Sequence, residues 1–233
     1  FLTSCSIDRS KLLGVGVCIA GRVNPETGRS YKYFTSNPQS LAEIIESYIG
    51  HPVLIENDTR AKCYGEYTKG CTGDEKNIIY LNLGRGVAIG IIVDGKIYYG
   101  RSGFAGEFGH TPFFENEIIC DCGKKGCLET EVSGIAIENK MIAQIQKGRN
   151  TILMEKYNHT GKIHITDIIS AARNDDNLSI ELIEEAGEKI GKSIAFLINI
   201  FNPEQVIIGG YLAGAGDYLM LPLKSAVNKF SLR

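Results

Sequence analysis

The chain has 233 residues, of which 43% are apolar, so it can bury a sizeable core as one large domain or two small lobes. Its formal charge is −2 and its basic residues are scattered, which argues against a nucleic-acid-binding surface on these residues. No stretch approaches the roughly 20 apolar residues of a membrane span, and the first residues lack the basic flank and apolar core of a signal peptide. We therefore expect a cytoplasmic protein without membrane contact.

The first elements follow the order of a strand, a helix and a strand. Residues 12–21 are apolar and β-branched and end in glycine, which predicts a buried strand. Residues 40–50 have helical periodicity with Ser40 as N-cap, and residues 51–58 predict a second buried strand. This order is typical of a βαβ unit with a parallel sheet. A further helix is expected directly after Asp58.

The rest of the chain predicts a meander and then a helical region. Residues 77–84 and 87–100 are strand-like, and Asp94-Gly95 interrupts the second run as a hairpin turn. Helices are predicted at 134–148, 165–176 and 179–201, and a buried strand and a glycine-rich loop within 202–216. Because only one strand precedes the first helix and residues 223–233 stop within an element, we expect a fragment, truncated at both ends.

The seven cysteines divide into an isolated set and a cluster. An odd number of cysteines with four of them far apart is a poor disulfide framework and fits a reducing compartment. We expect the isolated ones to be small buried hydrophobes or inert thiols. They are Cys5, Cys18, Cys63 and Cys71.

The cluster offers one imidazole and three thiols within a short stretch, from His110, Cys120, Cys122 and Cys127. This set matches tetrahedral zinc with no position left for water, which predicts a structural site. Free thiols are the alternative, since the two cysteines one residue apart are too cramped for an easy disulfide. Zinc would pin residues 101–130, a segment too long and polar to be fixed by a core of its own.

Carboxylates and an amide stand beside the cluster and at a strand end. Glu107 and Glu129 flank the zinc ligands, while Asn57 and Asp58 end a predicted parallel strand, the edge where α/β sheets bind ligands. Such groups suit a polyol such as a sugar, because each hydroxyl both donates and accepts. Asp58 could also act as a general base. The alternatives are that Asp58 caps the next helix and that both glutamates are simply solvated.

Several segments together resemble the ROK family of bacterial sugar kinases and sugar-responsive transcriptional repressors. They are "GVGVCIAGRVNPETG", "ENDTRA", "GFAGEFGH", "CDCGKKGCLE" and "NPEQVIIGG". The resemblance implies an α/β, actin-like ATPase (ribonuclease H-like) fold of two lobes, with residues 1–56 in the smaller lobe and residues 57–233, including the zinc loop, in the larger. It also implies a set of sugar ligands, which comprises Asn57, Asp58, Glu107, His110 and Glu129.

Departures from the kinase pattern favour a repressor. Kinase members carry Asp-x-Gly-Gly-Thr on their first strand, which this chain lacks, either because the sequence is truncated or because that function is lost. They also carry Gly-Thr-Gly-x-Gly in a second phosphate loop. Here that loop begins Gly84-Arg85-Gly86, and Ala88 adds a Cβ where backbone must approach phosphate. Arg85 could attract an anion or be an exposed turn residue. The loop is thus predicted to be a degraded nucleotide cradle.

Our first interpretation is therefore the effector-binding portion of a ROK repressor that controls carbohydrate-utilisation genes. A sugar or sugar phosphate would shift the geometry of a homodimer or dimer of dimers, and a helix-turn-helix domain not in this chain would release operator DNA. The alternative is an ATP-dependent kinase of a hexose or N-acetylhexosamine. In that case ATP and magnesium are required and Asp58 is the catalytic base.

Overall fold

The computed structural model describes residues 8–232, so Cys5 lies outside the described residues. The chain forms two compact units. The first unit runs to Gly73 and includes Ile97–Ala105; the second comprises Asp74–Lys96 and the chain from Gly106 onward. The helix that follows residue 56 belongs to the first of these units, and the lobe boundary after residue 56 stays a prediction from the resemblance.

The secondary structure of the described residues alternates short strands with helices before it becomes mainly helical. The strands are β1 (Val15–Ile19), β2 (Val23–Asn24), β3 (Arg29–Ser30), β4 (Val53–Asn57), β5 (Ile78–Leu83), β6 (Val87–Val93), β7 (Lys96–Ile97) and β8 (Gln205–Gly209). The helices are α1 (Leu41–Ile49), α2 (Asp58–Lys69), α3 (Glu129–Val132), α4 (Gly134–Gln146), α5 (Met154–Thr160), α6 (Ile165–Ala172), α7 (Asn177–Phe201) and α8 (Asp217–Phe230). Short 3₁₀ helices cover Arg9–Lys11, Phe108–His110 and Tyr211–Ala215.

In the first unit, β1 and β4 form the predicted parallel pair, in register from Val15 opposite Val53 to Ile19 opposite Asn57. The prediction that both strands are buried is wrong. Their side chains alternate in exposure, and Leu54 is 74% exposed. One face packs with α1 around a small apolar core, whereas Cys18 and Leu54 on the other face are exposed.

Helix α1 begins and ends as its sequence predicts. The Ser40 hydroxyl accepts a hydrogen bond from the Glu43 N–H, and the Glu43 carboxylate accepts one from the Ser40 N–H, which completes a capping box. Gly50 ends the helix in the left-handed conformation, with φ of 74°.

The second unit is built on a four-stranded sheet in the order β7-β6-β5-β8. Strand β5 is buried throughout and pairs antiparallel with β6 and parallel with β8. The turn after β6 has positive φ at Asp94 (50°) and Gly95 (75°), as the predicted hairpin requires. Strand β8 is only half-buried, contrary to prediction, because it lies at the edge of the sheet.

The helices of the second unit pack around α7. Along α7 the residues Ile183, Ala186, Ile190, Ile194 and Leu197 are buried, so the helix predicted at 179–201 packs through an apolar stripe. Helix α6 is shorter than predicted because the chain turns at Asn174 and Asp175, so that Asp176 caps α7. Helix α5 was not predicted, and α8 ends at Phe230 within the segment predicted to stop inside an element.

None of the helices within residues 8–232, including the 25-residue α7, is both long enough and apolar enough to cross a membrane.

Candidate functional site

Residues 110–128, called the cysteine hairpin below, fold back on themselves through short antiparallel contacts. Bridges join Pro112 to Cys127 and Ile119 to Lys125. Gly126 permits this return, because its φ is +75° and a Cβ there would lie 2.1 Å from the carbonyl oxygen of Phe114. The predicted zinc loop of residues 101–130 is thus divided, since residues 101–105 belong to the first unit.

The hairpin brings together the four predicted metal ligands. One ligand atom from each of His110, Cys120, Cys122 and Cys127 lies within 4.8 Å of all the others. His110 Nδ1 is 3.4 Å from Cys120 Sγ, and Cys122 Sγ is 3.6 Å from Cys127 Sγ. Tetrahedral ligands at zinc bond lengths are roughly 3.8 Å apart, so the donor set and its spacing both fit a metal ion.

The three thiols differ in how readily they ionise. Burial raises the pKa of Cys120 to about 12 and also raises the pKa of Cys127. For Cys122, burial is outweighed by hydrogen bonds from the Lys124 N–H and from the thiols of Cys127 and Cys120, so its pKa is lowered. Since thiolate is the form that binds metal, a cation in this cluster would favour ionisation of all three.

The imidazole of His110 faces the cluster on one side and a carboxylate on the other. Its Nε2 lies 3.7 Å from Glu107 Oε2, while its Nδ1 faces Cys120. Both side chains remain about a third exposed, His110 at 31% and Glu107 at 33%. A metal-ligating histidine is commonly oriented by a carboxylate on its second nitrogen, and Glu107 lies on that side of the His110 ring, beyond direct hydrogen-bond distance.

Glu129 joins the cluster to the turn between β5 and β6. It is the first residue of α3, directly after the hairpin, and its Oε1 lies 3.8 Å from Cys120 Sγ. Its Oε2 accepts a hydrogen bond of 3.0 Å from the Val87 N–H. Glu129 is therefore positioned by specific contacts, unlike the freely solvated carboxylate that was the alternative.

Glu131, which the sequence did not single out, ties the cysteine hairpin to the helices. Its carboxylate accepts hydrogen bonds from Asn116 Nδ2 (2.7 Å), Lys140 Nζ (2.9 Å) and Lys189 Nζ (2.5 Å). Burial raises the pKa of Glu131, but the two lysines outweigh it and hold the pKa at about 2. The partners lie up to 58 residues away, so no local pattern could reveal this network.

In the first unit, Asn57 and Asp58 lie at the carboxyl end of β4, as predicted. Asn57, not Asp58, is the N-cap of α2: its Oδ1 accepts hydrogen bonds from the N–H groups of Thr59 and Arg60 at 3.0 Å. Its Nδ2 donates to the Gly21 carbonyl at 3.0 Å. The Asp58 side chain stays 33% exposed, with Lys62 Nζ 3.6 Å from its Oδ2.

Arg60 is the second residue that sequence reasoning missed. It is 3% exposed and donates to the carbonyls of Gly103 (2.7 Å) and Val23 (2.9 Å). It also donates to Glu56 Oε1 at 2.8 Å. Opposite charges four residues apart on the chain were the signal from which the sequence could have predicted this ion pair. Arg60 thus fastens strand β2 and the loop at Gly103 to the strand end that carries Asn57.

The predicted ligands fall into two groups. Glu107, His110 and Glu129 surround the cysteine cluster in the second unit, whereas Asn57 and Asp58 share a strand end in the first. That both groups face one ligand remains a prediction from the sequence.

The predicted phosphate loop, Gly84-Arg85-Gly86, is the turn between β5 and β6. The Arg85 side chain is exposed, as expected of a turn residue. The Gly84 carbonyl accepts a hydrogen bond from the Gly134 N–H at the start of α4 (2.9 Å). The turn is therefore fixed on one side by α4 and on the other by Glu129.

Comparison with known proteins shows to which family this chain belongs. The family model described as the ROK family matches residues 1–233, the whole chain. The chain belongs to the ROK family. Its fold is accordingly the actin-like ATPase fold of ROK sugar kinases and repressors, as the sequence predicted.

ROK proteins of both functional kinds are similar to this chain. The glucokinase of Halalkalibacterium halodurans is 33% identical over 96% of this chain and 69% of its own length. The xylose repressor of Caldicellulosiruptor bescii is 33% identical over 94% of this chain but only 55% of its own length. A solved ROK glucokinase from Streptomyces griseus, in complex with glucose and AMPPNP, matches with a TM-score of 0.83 at 28% identity, over 96% of this chain and 73% of that one. The chain thus spans little more than half of the repressor.

Proposed function

We propose that this chain is the effector-binding portion of a cytoplasmic ROK transcriptional repressor that binds a sugar or sugar phosphate. Zinc in the His110, Cys120, Cys122 and Cys127 cluster serves as a structural ion in this proposal. Sugar hydroxyls are bound by Glu107, His110 and Glu129, together with Asn57 and Asp58. Sugar binding changes the geometry of a dimer or a dimer of dimers. A DNA-binding module beyond these 233 residues transmits this change to operator DNA.

The observation that carries the proposal is the double role of His110. One nitrogen faces the thiol cluster at 3.4 Å and the other faces Glu107 at 3.7 Å, with both side chains partly exposed. Four protein ligands leave a zinc ion without an open coordination position. The ion therefore stabilises the fold and does not act as a Lewis acid. What it holds in place is a pair of partly exposed polar groups with the donor and acceptor character that hydroxyls require.

The turn between β5 and β6 favours the repressor over the kinase. It has Arg85 where the phosphate loop of kinase members has threonine, and its Val87 N–H already donates to Glu129. Sequence identity favours neither function, since the xylose repressor and the glucokinase are both 33% identical to this chain.

The sugar kinase remains the second candidate because of Asp58. Its carboxylate is partly exposed at the end of a parallel strand, a suitable position for a general base toward a sugar hydroxyl. Similarity to the ROK glucokinase that binds glucose and AMPPNP supports ATP as the phosphate donor in that case.

A coupled ATP-consumption assay on the complete protein, with a panel of hexoses and N-acetylhexosamines, separates the two functions. The repressor proposal predicts no sugar-dependent turnover, but a sugar-dependent rise in thermal stability, since a ligand of the native state stabilises it. Turnover that disappears in Asp58→Asn and persists in Lys62→Met would establish the kinase instead. Release of operator DNA by the stabilising sugar completes the test of the repressor.

A further inference from the structure

A network of four charged side chains lies outside the cluster of metal ligands. The carboxylate of Glu131 is 11% exposed and pairs with Lys140 Nζ on α4 at 2.9 Å and with Lys189 Nζ on α7 at 2.5 Å. Both lysines also pair with Glu185 Oε1, at 3.0 Å and 2.6 Å. The two cations balance the two carboxylates, so this network needs no ligand to complete it.

Asn116 connects the network to the cysteine hairpin. Its Nδ2 donates to Glu131 Oε1 at 2.7 Å, while the two lysines bind the other carboxylate oxygen. Its Oδ1 accepts a hydrogen bond of 3.1 Å from the Ile118 N–H, so both ends of the amide are fixed. Two residues earlier, the ring of Phe114 lies 5.4 Å from Lys189 Nζ. The chain that leads into the hairpin is thus held by side chains of α3 and α7.

The four metal ligands differ in what holds them apart from a metal. His110 and Cys127 lie at the base of the hairpin, the first in a short helix and the second in a backbone bridge. Cys120 and Cys122 lie in its tip, the turn beyond Asn116. The backbone N–H and carbonyl of Cys120 both form hydrogen bonds of 2.8 Å, and both bonds stay within the tip. The orientation of the tip relative to the base therefore depends on the chain that enters it.

A metal ion binds tightly only when all four ligands converge. The apparent dissociation constant rises as the fraction of molecules with converged ligands falls. A contact that holds the tip in this orientation increases that fraction before the metal binds. We propose that Asn116, anchored by the Glu131 network, is a positioning residue that strengthens metal binding by the cysteine cluster. This inference rests on the structural metal site of the proposed function.

Competition for zinc between the zinc-loaded protein and a chelating dye tests this role. Asn116→Ala should raise the zinc dissociation constant about tenfold, because the tip is released while all four ligands remain. The control Glu117→Ala changes the next residue, whose exposed carboxylate pairs with Lys125 in the same hairpin. It should alter the constant less than about twofold, since exposed ion pairs contribute little.

A double-mutant cycle on zinc affinity shows whether Asn116 acts through Glu131. Asn116→Ala should have little further effect in a Glu131→Ala background, because their contact is already lost. Equal effects in both backgrounds would contradict the proposal. Where Glu131→Ala does not fold, the comparison of Asn116→Ala with Glu117→Ala decides the question by itself.

Thermal unfolding of the zinc-loaded variants separates positioning from general support of the fold. A loss of stability in Asn116→Ala with unchanged zinc affinity would overturn the proposal, as would an equal loss of affinity in Glu117→Ala. Either result would leave the metal site of the proposed function intact. A wild type that retains no zinc would defeat that metal site as well, so the two failures are distinguishable.

Discussion

The two groups of predicted ligands are held in place by different means. Asn57 at the end of β4 is fixed by backbone groups: the N–H groups of α2 on its oxygen and the Gly21 carbonyl on its nitrogen. Glu107 and Glu129 flank the cysteine hairpin, where they are fixed beside a cluster of thiols and an imidazole. The first arrangement depends on secondary structure, and under our proposal the second depends on a metal ion.

This difference implies that the two groups of predicted ligands respond to different perturbations. Loss of the metal should loosen the cysteine hairpin and leave the Asn57 cap unchanged, whereas changes around Arg60 should do the reverse. Four substitutions test this contrast, beginning with the largest expected effect.

Cys122→Ser should abolish stoichiometric metal binding and lower the unfolding free energy of the second unit by several kcal/mol. The Cys122 side chain is exposed, so the substitution removes little packing and its cost reports on the metal. Metal analysis and hydrogen exchange resolved by segment measure both effects, with Cys18→Ser, exposed in the first unit, as control. Retention of a full metal equivalent in Cys122→Ser would refute the four-ligand site.

Arg60→Met should lower the unfolding free energy of the first unit by about 3–5 kcal/mol, because two carbonyls lose the hydrogen bonds from Arg60 and the Glu56 carboxylate loses its cation. Lys62→Met, on the exposed side of the same helix, should cost less than about 0.5 kcal/mol. Urea unfolding measures both, and metal content should stay constant in each. A loss of metal in Arg60→Met would remove the contrast between the two regions.

Glu131→Gln should destabilise the protein by on the order of 1–2 kcal/mol at pH 6, after allowance for solvent screening of its partly exposed lysines. The folded pKa of Glu131, about 2, is below its ordinary value of 4.5. Its contribution is therefore present above pH 4.5 and is lost as the pH falls toward 2. Urea unfolding between pH 3 and pH 6 should show the difference from wild type shrink with acid. A pH-independent difference would exclude the charged network as its cause.

Asn57→Ala should cost about 1 kcal/mol of stability through loss of the α2 N-cap, the smallest of the four effects. Asn57→Ser supplies another capping oxygen and should recover most of this loss. Thermal unfolding of the two variants measures how much the cap contributes to stability. Sugar titration measures any separate role of Asn57 in binding. Equal destabilisation by alanine and serine would show that the Gly21 contact, not the cap, dominates at this position.

Features specified by neighbouring residues were predictable from the sequence. The capping box of α1 and the Asp94-Gly95 turn each follow from a few adjacent residues, and so does the set of four metal ligands, whose spacing limits the alternatives. The N-cap of α2 was missed by one position, because asparagine and aspartate are equally good caps and the sequence offers both in succession.

Features that depend on distant neighbours were not predictable. Strands β1 and β8 have the composition of buried strands, but their exposure is set by what covers the second face or edge of each sheet. Arg60 and Glu131 look like ordinary surface charges in the sequence. Only the fold brings Gly103 to the first and Lys189 to the second, across 43 and 58 residues respectively.

X-ray absorption at the zinc edge, on protein purified without added metal, tests the central claim most directly. The account predicts about one zinc per chain, with three sulfur ligands at about 2.3 Å and one nitrogen ligand at about 2.0–2.1 Å. A first shell that contains a water or carboxylate oxygen in place of the His110 nitrogen, or a metal-free protein with an intact cysteine hairpin, would contradict it.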